Sequence, residues 1–441
     1  MMGLSSANAP ELDLPARFMA LSVGALAVLA LTAPWSLPLV QDAFTAFPLL
    51  ALVHLITLGF VGSMIIGASY QLVPVAIGVH LSSVRAGRVS FWFYVAGLAL
   101  FLLGLDRAWL VALAAGASLL GVAFLVYIGV IVTTWRRAPH QDVVSWHIGL
   151  ASINAGFGMS FGVLLAFNKS NGVLGSRLLD FLAAHIAMML VGWVALTFTG
   201  VAYRLIGMFT LSESHFRPWL AWAALAGLFG GGWLLALRFL FAWPAWTGQL
   251  AALMLLGGFA CFAAQIARLY RMRMRRTFDI HIPFALVAAT SAILAAALLV
   301  IGVFRGTMPG DPLWVAVVWL GLLGTAGTAI QGFFYKIATF LVWLKRYAPV
   351  AGREAVPKLE QLYDRRLAVA GWGLWVSAIA LGAVAILTER DVLAIVGAIM
   401  LAGVACFTIN VVMIARHWLS MPGLGAATLH RTGASRAVPR G

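Results

Sequence analysis

The chain has 441 residues, of which 63% are hydrophobic and only 10% charged, a balance that excludes a water-soluble globular domain and a disordered one. Its formal charge of +15 comes from 29 Lys and Arg against 14 Asp and Glu. Basic loops meeting anionic lipid account for that excess, so it points to a bilayer and not to nucleic acid.

A hydrocarbon core about 30 Å thick takes roughly 20 apolar residues per helix. Stretches of this kind begin near Arg17, Phe47, Phe91, Trp109, Val143, Asp180, Trp219, Trp246, Ile282, Leu313, Leu367 and Val392. They predict an all-α, polytopic membrane bundle of about 12 transmembrane helices, forming one domain over 15–421 between polar, disordered tails at 1–14 and 422–441. The longest link between helices runs from Lys345 to Arg366. Twenty-two Lys and Arg fall in the even-numbered connections and the tails, and six (Arg107, Lys169, Arg177, Arg238, Arg305, Arg390) in the odd ones. The positive-inside rule then places both termini in the cytoplasm, as expected for a bacterial inner-membrane protein. The first apolar stretch has a weak basic flank and is needed for the alternation of loop charge, so it reads as a helix and not a cleaved signal. Cys261 and Cys406 fall inside spans, where they act as packing residues. Trp35, Trp109, Trp219, Trp246 and Trp314 lie near span ends and read as an aromatic belt. Pro74 is expected to end or kink helix 2.

A repeat runs through the chain. Gly59, Gly67, Tyr70 and Leu72 in helix 2 align with Gly192, Gly200, Tyr203 and Leu205 in helix 6 and with Gly324, Gly332, Tyr335 and Ile337 in helix 10. The copies lie 133 and 132 residues apart, which predicts three parallel four-helix units over about 15–135, 143–270 and 281–416. Glycines eight apart lie near one face, since eight residues turn about 80° beyond two full turns, and small residues there let backbones approach. The residue after each Tyr (Gln71, Arg204, Lys336) is read as an interfacial anchor.

Of nine histidines, His80, His140, His147, His215, His281, His417 and His430 are expected in loops, at cytoplasmic helix ends or in the tail. Only His54 and His185 sit inside apolar segments, about 7 to 10 Å from the outer end at 1.5 Å per residue. An ionisable residue at that depth is a functional-site candidate, and imidazole is a common ligand of heme iron and copper. His54 precedes its repeat glycine by five residues and His185 by seven, so the two leave equivalent helices about 200° apart. They therefore face each other across one gap or look into two. Met188 and Met189 follow His185 on one helix face, and thioether with imidazole suits copper(I). The corresponding positions of helix 10 hold Trp319 and Val317. These residues leave open a heme, a copper site, or imidazoles that only hydrogen-bond a neighbouring helix.

The stretches HLITLGFVGSMIIGASYQLVPV, HIAMMLVGWVALTFTGVAYRLIGMF and GFFYKIATFLVWLKRY resemble those of bacterial oxidase-subunit-I-like and NnrS-like heme proteins. The plan of twelve helices in three units resembles the catalytic subunit of the heme-copper oxidase superfamily. This resemblance implies heme b, with copper as a further possibility, at His54 and His185, and an electron donor of the cytochrome c or quinol kind. The family's paired histidines of helix 7 and its histidines of helix 10 have no counterpart here, so a complete terminal oxidase is not expected. The expectation is a heme-binding membrane protein in redox, gas-response or heme and copper handling. The alternatives are a divergent oxidoreductase that works with a partner cytochrome, and a transporter.

Overall fold

The computed structural model describes residues 12–41, 45–274, 279–307 and 310–419. The tail expected at 422–441, and all of 1–14 except its last three residues, lie outside the described residues. Among the described residues, twelve helices are long and apolar enough to cross a membrane: α1 (Asp13–Gln41), α2 (Phe47–Ile77), α3 (Val84–Asp106), α4 (Leu110–Arg136), α5 (Val143–Asn171), α6 (Gly175–Thr210), α7 (Pro218–Leu240), α8 (Ala245–Arg271), α9 (His281–Arg305), α10 (Pro312–Arg346), α11 (Arg365–Leu387) and α12 (Leu393–Leu419). No β-strand occurs among the described residues. The helix satisfies every backbone group within its own segment, the condition for entering hydrocarbon.

Polar residues mark the helix starts. Ser83 accepts from the Ala86 amide at 3.1 Å, Asp142 from Ser145 at 2.9 Å and Asp311 from Leu313 at 2.9 Å. Pro74 does not stop α2, which runs on to Ile77 and ends where Gly78 turns left-handed at φ 74°.

The central helices α2, α6 and α10 touch one another, and the other nine surround them. Hairpin pairs α3–α4, α7–α8 and α11–α12 form the outer wall, which α12 closes against α1. Each central helix also packs on the helix before it, and the repeat glycines are the contact points. A Cβ on Gly67 would lie 2.8 Å from Phe18 Cβ, on Gly200 2.6 Å from His147 Cβ, and on Gly332 2.3 Å from Phe284 Cβ. Gly59, Gly192 and Gly324 meet Ala25, Asn154 and Ser291 in the same way at 3.0, 3.0 and 2.9 Å. Only a residue without a Cβ allows crossings this close.

The central helices share a second irregularity. Each contains a π-helical stretch, at Leu55–Gly62, Ala187–Ala195 and Leu320–Gly327. A π turn shifts the hydrogen-bond ladder, and buried side chains add bonds to carbonyls within it: Tyr94 and Ser63 donate to Leu58 O at 2.7 and 3.0 Å, Ser22 to Phe60 O at 2.7 Å, Asn154 to Gly192 O at 3.0 Å and Thr328 to Leu323 O at 3.0 Å. Leu58 O and Phe60 O also accept from the Ser63 amide, and Leu323 O from the Thr328 amide.

Of the expected anchors, Arg204 pairs with Asp142 at 2.6 Å and stays 39% exposed, whereas Lys336, 8% exposed, pairs with Asp279, and Gln71 is buried. Asp142 caps α5 and Asp279 lies two residues before α9. His147 and His281 do fall in the first turns of α5 and α9, but both are buried.

Candidate functional site: two histidines on one cavity

His54 is the last α-helical residue of α2 before its π stretch, and His185 lies two residues before that of α6. Both line a single cavity of about 330 Å³, within the size range of small-molecule and cofactor sites. The choice between one gap and two is thereby decided. Side chains leaving neighbouring central helices from opposite flanks border the same space.

The rings are held alike. His54 Nδ1 donates to Leu50 O at 2.7 Å, one turn back on its own helix, and His185 Nδ1 donates to Gly158 O of α5 at 2.7 Å. A proton committed to Nδ1 leaves the Nε2 lone pair as the coordinating atom, the arrangement in which histidine serves as a ligand. His54 also packs edge-on to Phe101, with centroids 5.0 Å apart at 65°. His185 lies over Gly162, where a Cβ would come within 2.8 Å of Cε1.

The other expected ligands separate. Met189 lines the cavity and rests on Gly158, where a Cβ would lie 2.6 Å from Sδ. Met188 is fully buried and lies outside the lining, its Cε 4.0 Å from where a Cβ of Gly232 on α7 would be. Trp319 faces the cavity from α10, but its Nε1 donates to Ile379 O at 3.0 Å and its ring presses on Gly382, so this wall is apolar. Trp314 departs from the belt expectation: it lines the cavity and donates to Thr307 O at 3.2 Å, whereas Trp35, Trp109, Trp219 and Trp246 are exposed. Among the described residues, no three or more His, Cys, Asp or Glu converge.

Leu50 O, Gly158 and Gly162 complete the site and escape the sequence reading. The first is a backbone atom with no sequence signature. The glycines had one, a small-x3-small spacing on α5 that marks close helix approach. Chemically, two imidazoles in an apolar cavity can bind a transition metal or a heme iron, and among the described residues no carboxylate lines it. No protein-family model matches the chain, and no curated protein matches it.

Proposed function

We propose that this is a multi-pass inner-membrane protein, with both termini cytoplasmic, that holds one heme b between His54 and His185. One observation carries the reading: two histidines on different central helices, each with Nδ1 bound to a backbone carbonyl, line the same apolar cavity. His54 and His185 would hold the iron, and the apolar walls suit a porphyrin face. A bound heme would supply one-electron chemistry. The chain's own residues would fix the two imidazoles, exclude water and keep competing carboxylates away. Its electron partner is a cytochrome c or a quinol. Trp319 forms the third wall, and we read the role as redox, gas-response or heme and copper handling and not as that of a complete terminal oxidase.

The kinship with heme-copper oxidase subunits and the three-unit repeat are part of this proposal. The matched glycine crossings, the π stretches beginning at residues 55, 187 and 320, and the Asp–Arg and Asp–Lys pairs support it. Met189 beside the two histidines favours one second reading, a copper(I) site.

The test is the absorption spectrum of the detergent-purified protein, oxidised and dithionite-reduced. We expect a Soret band with sharp reduced α and β bands, lost in His54→Ala and in His185→Ala. A featureless spectrum after expression with ample heme would remove the heme reading. Stoichiometric copper that is lost in Met189→Leu would then establish the alternative.

A further inference from the structure

We infer that Gly158 and Gly162 of α5 form the positioning seat of His185, Gly158 as tether and Gly162 as the surface that fixes the ring. Asn154, Gly158 and Gly162 are spaced four apart and lie along one side of the helix. All three act on the same part of α6. Asn154 donates to Gly192 O at 3.0 Å inside the π stretch and accepts from Trp233 Nε1 at 3.0 Å, which fixes the α5–α6–α7 crossing. One turn further, Gly158 O receives His185 Nδ1 at 2.7 Å. After another turn, Gly162 leaves the space filled by the ring: a Cβ there would meet Cε1 at 2.8 Å, Nδ1 at 3.2 Å and Nε2 at 3.7 Å.

The ring is thus caught between a hydrogen bond at one glycine and van der Waals contact at the next. The closest approach is below the 3.0 Å that real Cβ atoms avoid, so one methyl at position 162 must break the tether or rotate the ring. Either movement displaces Nε2, and a ligand misplaced by about 1 Å loses its function. Gly156, on the same helix, has no such role, because a Cβ there would meet only Ile128 Cδ1 at 3.7 Å, an ordinary contact. The functional consequence of the seat rests on the heme reading; its geometry does not.

The experiment places Gly162→Ala and Gly156→Ala in the wild-type and His185→Ala backgrounds. Two readouts are taken: the thermal unfolding midpoint of the purified full-length protein, and the reduced spectrum with the low-spin ferric electron paramagnetic resonance signal. Gly162→Ala is expected to lower the midpoint when His185 is present and to leave it unchanged when His185 is absent, because the clash needs the ring. It should also shift or abolish the low-spin signal, whereas Gly156→Ala does neither. An equal fall in both backgrounds would make Gly162 a plain packing contact and overturn the inference, as would no change in either. If His185→Ala does not fold, His185→Asn, which can still donate to Gly158 O without a ring, replaces it. A coupled midpoint without any heme signal in the wild type would overturn the heme reading and leave the seat standing.

Discussion

The pairs Asp142–Arg204 and Asp279–Lys336 differ in burial, and burial sets what each is worth. The first pair has side chains 39% and 45% exposed, where solvent screening limits an ion pair to about 0–1 kcal/mol. The second is 9% and 10% exposed, where screening is weaker, and Asp279 keeps His281 Nδ1 at 3.9 Å when Lys336 is removed. Lys336→Ala is therefore expected to cost more than Arg204→Ala, on the order of 1–3 kcal/mol. Arg204→Ala should stay within about 1 kcal/mol. Chemical denaturation of the two variants in detergent compares them directly, and equal losses would contradict the argument. The acids themselves were visible in the sequence, but their pairing was not, because each partner lies 57 or 62 residues away in the chain.

The π stretches matter at the scale of elements. Asn154→Leu would leave both Gly192 O and Trp233 Nε1 without their partner inside the bundle. Interhelical hydrogen bonds in membranes average about 0.6 kcal/mol and reach about 1.7. A destabilisation of about 1–2 kcal/mol is expected for this two-bond loss. Ser63→Ala should cost about 0.5 kcal/mol, since Tyr94 still donates to Leu58 O. A larger loss for Ser63→Ala than for Asn154→Leu in thermal unfolding would refute this order. The helices themselves were legible, because twenty apolar residues in a row leave few other solutions. Their π geometry was not, since it follows from the packing of the central three and has no composition of its own.

The whole molecule adds a prediction about orientation. Reporter fusions should place the connections that hold Arg107, Lys169 and Arg390 outside, with alkaline phosphatase active there, and should leave it inactive when it is fused after Arg136 or Arg366. The reverse pattern would overturn the assignment of both termini to the cytoplasm. Nothing in a single helix fixes this orientation; it would come from the summed charge of eleven connections and two ends acting together.

The sequence by itself determined the number of membrane-length apolar helices and the placing of His54 and His185 within two of them, because hydropathy is local to each span. It also showed where helices could approach, through Gly67, Gly200 and Gly332, since the absence of a Cβ is a property of the residue. Tertiary structure alone decided that His54 and His185 share one cavity, that Met189 lines it while Met188 turns to α7, and that Leu50 O and Gly158 O hold the rings. Those outcomes depend on helix rotation within the central three. A π stretch follows each histidine and contains Gly59 or Gly192, and no periodicity counted along an ideal helix contains it.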